Sequence, residues 1–368
     1  MTMISQDSLK QTPLYQKHIG LHARMVGFGG WDMPLQYEGI IVEYESTRKQ
    51  VTVFDTSHMG EFILKGDCRA CGLDRLVSSR IIDMPVQSCR YGMILNASGG
   101  VMDDLIVYRL GQEEWMIVVN AATTEKDFNH FRSHLTKQSV LNNVSASTGK
   151  LDIQGPWAME FLKDFIPGLT KLDYYTFAHF MILGERAIVS RTGYTGELGY
   201  EIYFPANRIA QLWDKIFENP KVKPAGLGAR DLLRIEMGYS LYGHELSDVI
   251  TPLEAGLSKF VDFEKEFIGK EVLLTLRKEG PSRKMAYFVC DSRRAPRSDF
   301  RIYSTDSEEI GIVTSGTFSP ELKKGIGMGF VANEYVSPGK KILIGDATNK
   351  IEACTTSRPF YKKSSLKN

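Results

Sequence analysis

Cysteine is scarce in this sequence, and neither charge sign dominates. Five Cys in 368 residues are too few, and odd in number, for a secreted disulfide framework; free thiols in a reducing compartment are expected. Lys plus Arg number 45 and Asp plus Glu 44, a net charge of +1. That balance lacks the basic excess of a nucleic-acid binder and excludes charge-driven disorder. No run approaches the roughly 18 apolar residues of a spanning helix, so no membrane partner is expected. The N-terminal stretch MTMISQDSLKQTPLYQKH has no apolar core of a secretory signal. A cytoplasmic location is expected, or an organellar one after removal of a targeting segment, and the sequons at Asn96 and Asn143 then carry no meaning. No repeat of roughly 20–50 residues is visible.

What is present is an ordinary globular composition, 43% hydrophobic and 24% charged. At roughly 150 residues per domain the length suggests two or three domains. Through the first two thirds, strands alternate with helices. EFILKG (61–66), DDLIVYRL (103–110) and WMIVVN (115–120) read as strands. Helical spacing follows at 124–135, 157–162, 207–217 and 229–237. On the 207–217 helix, Ile209, Leu212, Trp213 and Ile216 share one face. After Gly280-Pro281 the pattern changes to six short β-rich runs separated by Gly, Pro, Asp and Ser. That predicts a small sandwich or barrel, with a boundary near 280.

Several chemistries lose support on spacing. Cys68 and Cys71 form a C-x-x-C without the second pair of a zinc ribbon. The stretch DCRACGLDRLV reads instead as a helix with Asp67 near its N-cap and bland, buried thiols. Asp127, His130 and His134 share a helix face opposite Phe128, Phe131 and Leu135, so that face reads as the solvated one and no metal is expected. His244-Glu245 lacks the second His of a zinc helix. The Gly-Lys pairs at 149, 269 and 339 lack the Gly of a phosphate loop, GLGARD (226–231) lacks the third Gly of a dinucleotide fingerprint, and no G-x-S-x-G elbow exists.

Three segments resist a purely structural explanation. Asp103 and Asp104 open an apolar strand after Gly99-Gly100. Strand neighbours point to opposite faces, so one carboxylate points inward, where it must be paired or used; the bland reading is a turn-capping Asp. RTGYTGELGYE (191–201) crowds three Gly, two Tyr and two Glu into eleven residues. It is either a ligand-approaching loop or a decorated hairpin. Arg230 falls in the first turn of a probable helix, where the dipole is already positive. An acceptor nearby explains it, or else pairing with Asp231 or Glu236.

TPLY (12–15), GWDMPLQY (30–37), FDTSHMGEF (54–62), LNASGGVMDDLIVY (95–108), RTGYTGELGYEI (191–202), GLGARDLLRIE (226–236), VTSGTFSP (313–320) and PFYK (359–362), in this order, resemble the T-protein family of the glycine cleavage system, the aminomethyltransferases. The resemblance implies an α+β fold. Two interleaved lobes over 10–280 enclose a central folate channel, and a C-terminal β-barrel covers 281–362. It implies transfer of the methylene of an aminomethyl group, carried on the lipoyl arm of H-protein, to tetrahydrofolate. Ammonia leaves and 5,10-methylenetetrahydrofolate forms. Tetrahydrofolate enters as the one-carbon acceptor substrate, and the P- and L-proteins belong to the same system. By position, the resemblance implies that Asp103 is the essential carboxylate, the first of the paired acids. It implies folate contacts at Glu201 and Arg230, and channel positions at Tyr91, Tyr194, Met59, Asn120 and Tyr361. On this reading Asp104 tolerates substitution far better than Asp103.

The chain departs from the family pattern at three places. Tyr44-Glu45-Ser46-Thr47-Arg48 loses a His, Thr123 replaces an Asn, and Phe260 stands one position away from the expected wall aromatic. Two alternatives remain. A folate-dependent demethylase of the same superfamily would act on a methylated amine or sulfonium substrate. A non-enzymatic folate-binding assembly factor would carry a Cys in the 265–271 segment, where Phe267 and Ile268 stand.

Overall fold

The computed structural model describes residues 9–169, 172–346 and 349–366. β1 (Lys10–Gln11), β2 (Arg24–Phe28) and β3 (Trp31–Gln36) form a small sheet. β4 (Thr52–Asp55) enters a six-stranded sheet, and the chain then leaves it. β5 (Gly60–Lys65), β6 (Cys89–Leu95), β7 (Val101–Arg109), β8 (Glu114–Val119) and β9 (Val140–Asn143) build a five-stranded sheet ordered β6-β7-β8-β5-β9. β10 (Thr148–Gln154), β11 (Phe177–Ile182), β12 (Glu185–Ser190), β13 (Gly199–Pro205) and β14 (Lys223–Pro224) return to complete the first sheet, ordered β11-β12-β13-β10-β4-β14. This excursion interleaves the two α+β lobes.

Each sheet covers one face with helices. Leu151 and Ile153 of β10 and Tyr200, Ile202 and Phe204 of β13 pack with Leu162 of the Ala158–Phe165 helix. Leu212, Trp213 and Ile216 of the Ile209–Phe217 helix complete that core. In the other lobe Phe62, Leu105, Val107 and Ile117 pack on Phe131 of the Thr124–His134 helix. The two-residue repeat of strands puts the intervening side chains on the opposite faces. There Met59, Ile63, Ile106, Tyr108 and Val118 of one lobe meet Phe177, Ile188 and Tyr203 of the other. The lobes therefore face each other across a shared middle layer.

The six runs after residue 280 all form strands: β15 (Arg283–Cys290), β16 (Arg301–Tyr303), β17 (Glu309–Ser319), β18 (Lys324–Ala332), β19 (Lys341–Gly345) and β20 (Lys350–Thr356). They close into a barrel ordered β15-β18-β17-β16-β19-β20. Its inside holds Phe288, Ile302, Val313 and Ile344. Its outer face presents Met285, Met328 and Phe330 to Met93 and Leu95 of β6 and to Ile235.

Two local expectations are corrected. The 67–77 stretch is helical only over Leu73–Leu76. Gly72 takes a left-handed φ of 89° that interrupts it, and Asp67 caps a separate turn through the amides of Arg69 and Ala70. The Cys68 and Cys71 thiols are buried as expected, and burial pushes Cys68 up to about 11. On the Thr124–His134 helix, Asp127 does not lie on a solvated face. It is 0% exposed and faces inward one turn before Phe131.

Candidate functional site

The middle layer between the lobes carries charge as well as apolar packing. β7 places Asp104, Ile106 and Tyr108 on the face toward the second lobe, and Asp103, Leu105 and Val107 on the helix-covered face. Asp103 is therefore 0% exposed. Its Oδ1 accepts the Asn120 side-chain amide at 2.8 Å. Its Oδ2 accepts the Asn120 backbone N–H at 3.0 Å and the Thr123 hydroxyl at 2.8 Å. Thr123, one of the departures from the family pattern, thus fills a place in this lock. Burial, then the Asp103 charge, push the adjacent Asp127 carboxyl up to about 9. The inward carboxylate is the paired one.

Asp104 is the member of the pair that reaches the middle layer. It is partly exposed. Its Oδ2 accepts the Tyr91 hydroxyl at 2.9 Å and its Oδ1 the Asn120 side-chain amide at 2.8 Å. Burial, then the Asp103 charge, push its carboxyl up to about 7, against the bonds from Tyr91 and Asn120. The Tyr91 ring packs edge-on against Phe260 at 4.7 Å, so the displaced aromatic still stands beside this wall. The resemblance implied Asp103 as the essential carboxylate; the structure buries Asp103 and leaves Asp104 partly exposed. The usable signal was register: Leu105 and Val107 mark the helix-covered face, and Asp103 belongs to their set.

The facing wall comes from β10 and β13. Glu201 on β13 is 4% exposed. It pairs with Lys150 at 2.5 Å and accepts the Thr192 hydroxyl. Burial by itself would raise its carboxyl, but Lys150, Thr192 and Arg230 hold it below the ordinary range. Lys150 also points at the Met59 sulfur, 3.4 Å away. Arg230 donates to Asp152 at 2.6 Å, which is the acceptor its place in the first turn of the Leu227–Met237 helix required. Asp231 pairs instead with Arg234 and Glu236 with Arg48. The Arg230 guanidinium lies 5.0 Å from the Tyr194 ring, and Tyr194 stacks on Tyr239 at 5.7 Å. Burial, eased by Arg230, pushes Asp152 up to about 6.

The glycines of 191–201 serve this wall. A Cβ on Gly199 would stand 2.0 Å from the Gln154 amide nitrogen, and that amide donates to Thr192 and Asp152. The structure thus brings Tyr91, Asn120, Tyr194, Met59, Glu201 and Arg230 to the middle layer. Tyr361 goes elsewhere. Its ring lies 3.9 Å from the Arg48 guanidinium, in the buried group of Arg48, Glu197 and Glu236. Lys150 and Asp152 were missed by sequence reasoning. Their signal was the alternation Lys-Leu-Asp-Ile-Gln, polar on one face and apolar on the other. Among the described residues no cluster of three or more His, Cys, Asp or Glu is placed to hold a metal. Among them no helix is long and apolar enough to cross a membrane.

The two lobes and the closed C-terminal barrel each match a domain model of one family. Residues 14–265 match the model of the GCVT N-terminal domain, and residues 283–362 match the glycine cleavage T-protein C-terminal barrel domain. The chain belongs to the glycine cleavage T-protein family, the aminomethyltransferases. It is 43% identical to an aminomethyltransferase of Phocaeicola vulgatus over 96% of this chain and 100% of that one. It is 39% identical to one of Pseudothermotoga lettingae over 97% and 99%. A crystal structure of glycine cleavage system aminomethyltransferase T from Bartonella henselae superposes with a TM-score of 0.91, at 30% identity, over 97% of this chain and 99% of that one.

Proposed function

We propose that this chain moves the methylene of an aminomethyl group from the lipoyl arm of H-protein to tetrahydrofolate, with Asp104 as the carboxylate at the reacting centre. The observation that carries this reading is the opposition of two walls: Asp104, held by Tyr91 and Asn120, faces the Glu201, Lys150 and Arg230 wall across the lobes. One-carbon transfer to a reduced pterin asks for these groups. The pterin edge offers an amino group and a ring N–H as donors beside a carbonyl acceptor. The Glu201 carboxylate accepts the donors, and each of its oxygens keeps a second lone pair beyond Lys150 and Thr192. Arg230 donates to a carbonyl or grips a glutamyl carboxylate with N–H groups not spent on Asp152. Tyr194 and Met59 supply flat and apolar contacts.

Transfer breaks the carbon–sulfur bond of the aminomethyl thioether, and N5 of the folate captures the resulting methylene iminium. The dihydrolipoyl thiolate leaves in that first step; the second folate nitrogen then displaces ammonia and gives up its proton, closing the methylene bridge. Positive charge develops at the reacting nitrogens. Asp104 stabilises it and takes up a proton as the bridge closes. The residues before and after about 280 divide the work on this reading: the lobes hold the substrates and the barrel braces β6. The P- and L-proteins act in the same system, in the cytoplasm.

The test is direct. Purified chain, aminomethylated H-protein and tetrahydrofolate yield ammonia and 5,10-methylenetetrahydrofolate. Demethylation of free methylated amines without turnover of H-protein would replace this reading with the demethylase.

The pH profile carries a second expectation. Asp104 works ionised, so the rate climbs as pH rises through about 7. The Tyr91 hydroxyl favours the charged carboxylate, so its removal raises the Asp104 carboxyl further. Tyr91→Phe therefore moves the acid limb of the kcat profile to higher pH. An unmoved limb assigns that ionisation to another group.

A further inference from the structure

Glu61 on β5 is 1% exposed, and neither of its side-chain oxygens meets a hydrogen-bond partner. It alternates with Phe62 and Leu64, which face the helix-covered core, so it lies on the middle-layer face with Met59 and Ile63. Its electrostatic neighbours there are Lys150, Glu201 and Tyr203. The Lys150 ammonium does not bond to it, being directed to Glu201 and the Met59 sulfur. Burial and the Glu201 charge, opposed by Lys150, push the Glu61 carboxyl well above its ordinary range. It is therefore a neutral acid, with one O–H to donate and a carbonyl oxygen to accept. Buried polar groups without partners are rare in folded proteins and ask for an explanation. Here the orphan stands in the layer where the substrate edge is read.

We propose that Glu61 is a further substrate-binding residue, a carboxylic acid that hydrogen-bonds the polar edge of the pteridine ring of tetrahydrofolate beside Glu201. The proposal rests on the reading of the middle layer as the tetrahydrofolate site. Two adjacent carboxyls in different protonation states suit an edge that mixes donors with acceptors. Ionised Glu201 takes the amino and ring N–H donors. Neutral Glu61 donates to a ring nitrogen or the carbonyl, which a second carboxylate would repel.

The experiment compares wild type, Glu61→Leu and Glu61→Gln without substrate by thermal melting, and with tetrahydrofolate by calorimetry under anaerobic conditions. Glu61→Leu removes an unsatisfied polar group, so the substrate-free protein melts no lower than wild type. Its tetrahydrofolate Kd rises by about 10- to 100-fold, the scale of one lost buried hydrogen bond. Glu61→Gln keeps a donor and an acceptor and restores binding to within about fivefold of wild type. Equal binding by wild type and Glu61→Leu overturns the proposal while leaving the folate site standing. A Glu61→Leu protein that melts lower or fails to fold overturns it as well, because the carboxyl then has an internal partner. So does Glu61→Gln binding as weakly as Glu61→Leu. No binding by wild type removes the site reading itself and this proposal with it.

Discussion

Asp104→Asn lowers the rate of aminomethyl transfer by about 10²–10⁴, the usual contribution of a positioned acid–base group. The amide keeps the size, its oxygen accepts from Asn120 and its NH2 donates to the Tyr91 hydroxyl, which can accept, so folding and tetrahydrofolate binding persist while kcat collapses. Asp103→Asn behaves in the opposite way. Asp103 accepts from the Asn120 backbone, the Asn120 side chain and Thr123. An amide nitrogen turned toward those donors leaves at least one of them unsatisfied, at a cost of about 1–3 kcal/mol. Asp103→Asn therefore lowers the melting temperature and, at a temperature where it stays folded, holds its rate within about tenfold. Single-turnover assays and thermal melts on the two variants separate these outcomes. A rate collapse confined to Asp103→Asn would return the catalytic role to the first of the paired acids.

The largest stability effect is expected at Arg48. Its Nη1 donates to Glu197 at 2.8 Å and to the Thr195 carbonyl at 2.7 Å, and its Nη2 to Glu236 at 2.8 Å. Glu236 also accepts the Tyr44 hydroxyl at 2.9 Å and the Ser319 hydroxyl of the barrel at 2.6 Å. One guanidinium thus serves two buried carboxylates and ties the helix Ile40–Lys49 to the 191–198 loop and to β17. Arg48→Ala leaves both carboxylates buried without their cation. The expected loss is about 3–5 kcal/mol in urea unfolding, with a correspondingly lower yield of folded protein. The neighbouring Lys49, whose partner Glu45 is one turn away at the surface, gives the contrast: Lys49→Ala changes stability by no more than about 0.5 kcal/mol. A loss below about 1 kcal/mol at Arg48 would show that the two carboxylates do not depend on the cation.

Much of the fold was legible because its periodicities are clean. The 207–217 pattern placed Ile209, Leu212, Trp213 and Ile216 on one face, and all four are buried under the six-stranded sheet. The six runs after residue 280 are separated by turn residues and became the six barrel strands. The helix Ile40–Lys49 was not legible. It opens Ile-Ile-Val, a β-branched run that reads as strand. It forms because the Glu43 carboxylate accepts the backbone N–H groups of Tyr37, Glu38 and Gly39 at its start, and that of Gly226 from far along the chain. The departure at Tyr44 was visible as a lost His, but its consequence was not, since the Tyr44 hydroxyl bonds Glu236, 192 positions away.

By itself the sequence determined the repeat of each element, the change of pattern near 280, the family and most of the residue types in the middle layer. Those follow from local spacing and from motifs in order. Only the tertiary structure decided which of two adjacent carboxylates is buried and which partly exposed, that Tyr361 belongs to the Arg48 group, and that Glu61 lies buried without a partner. The reason is that a side chain's availability depends on what the opposing sheet or helix presents to it. Asp103 and Asp104 are chemically identical neighbours. One is consumed by Asn120 and Thr123 beneath a helix, and the other is turned toward the second lobe.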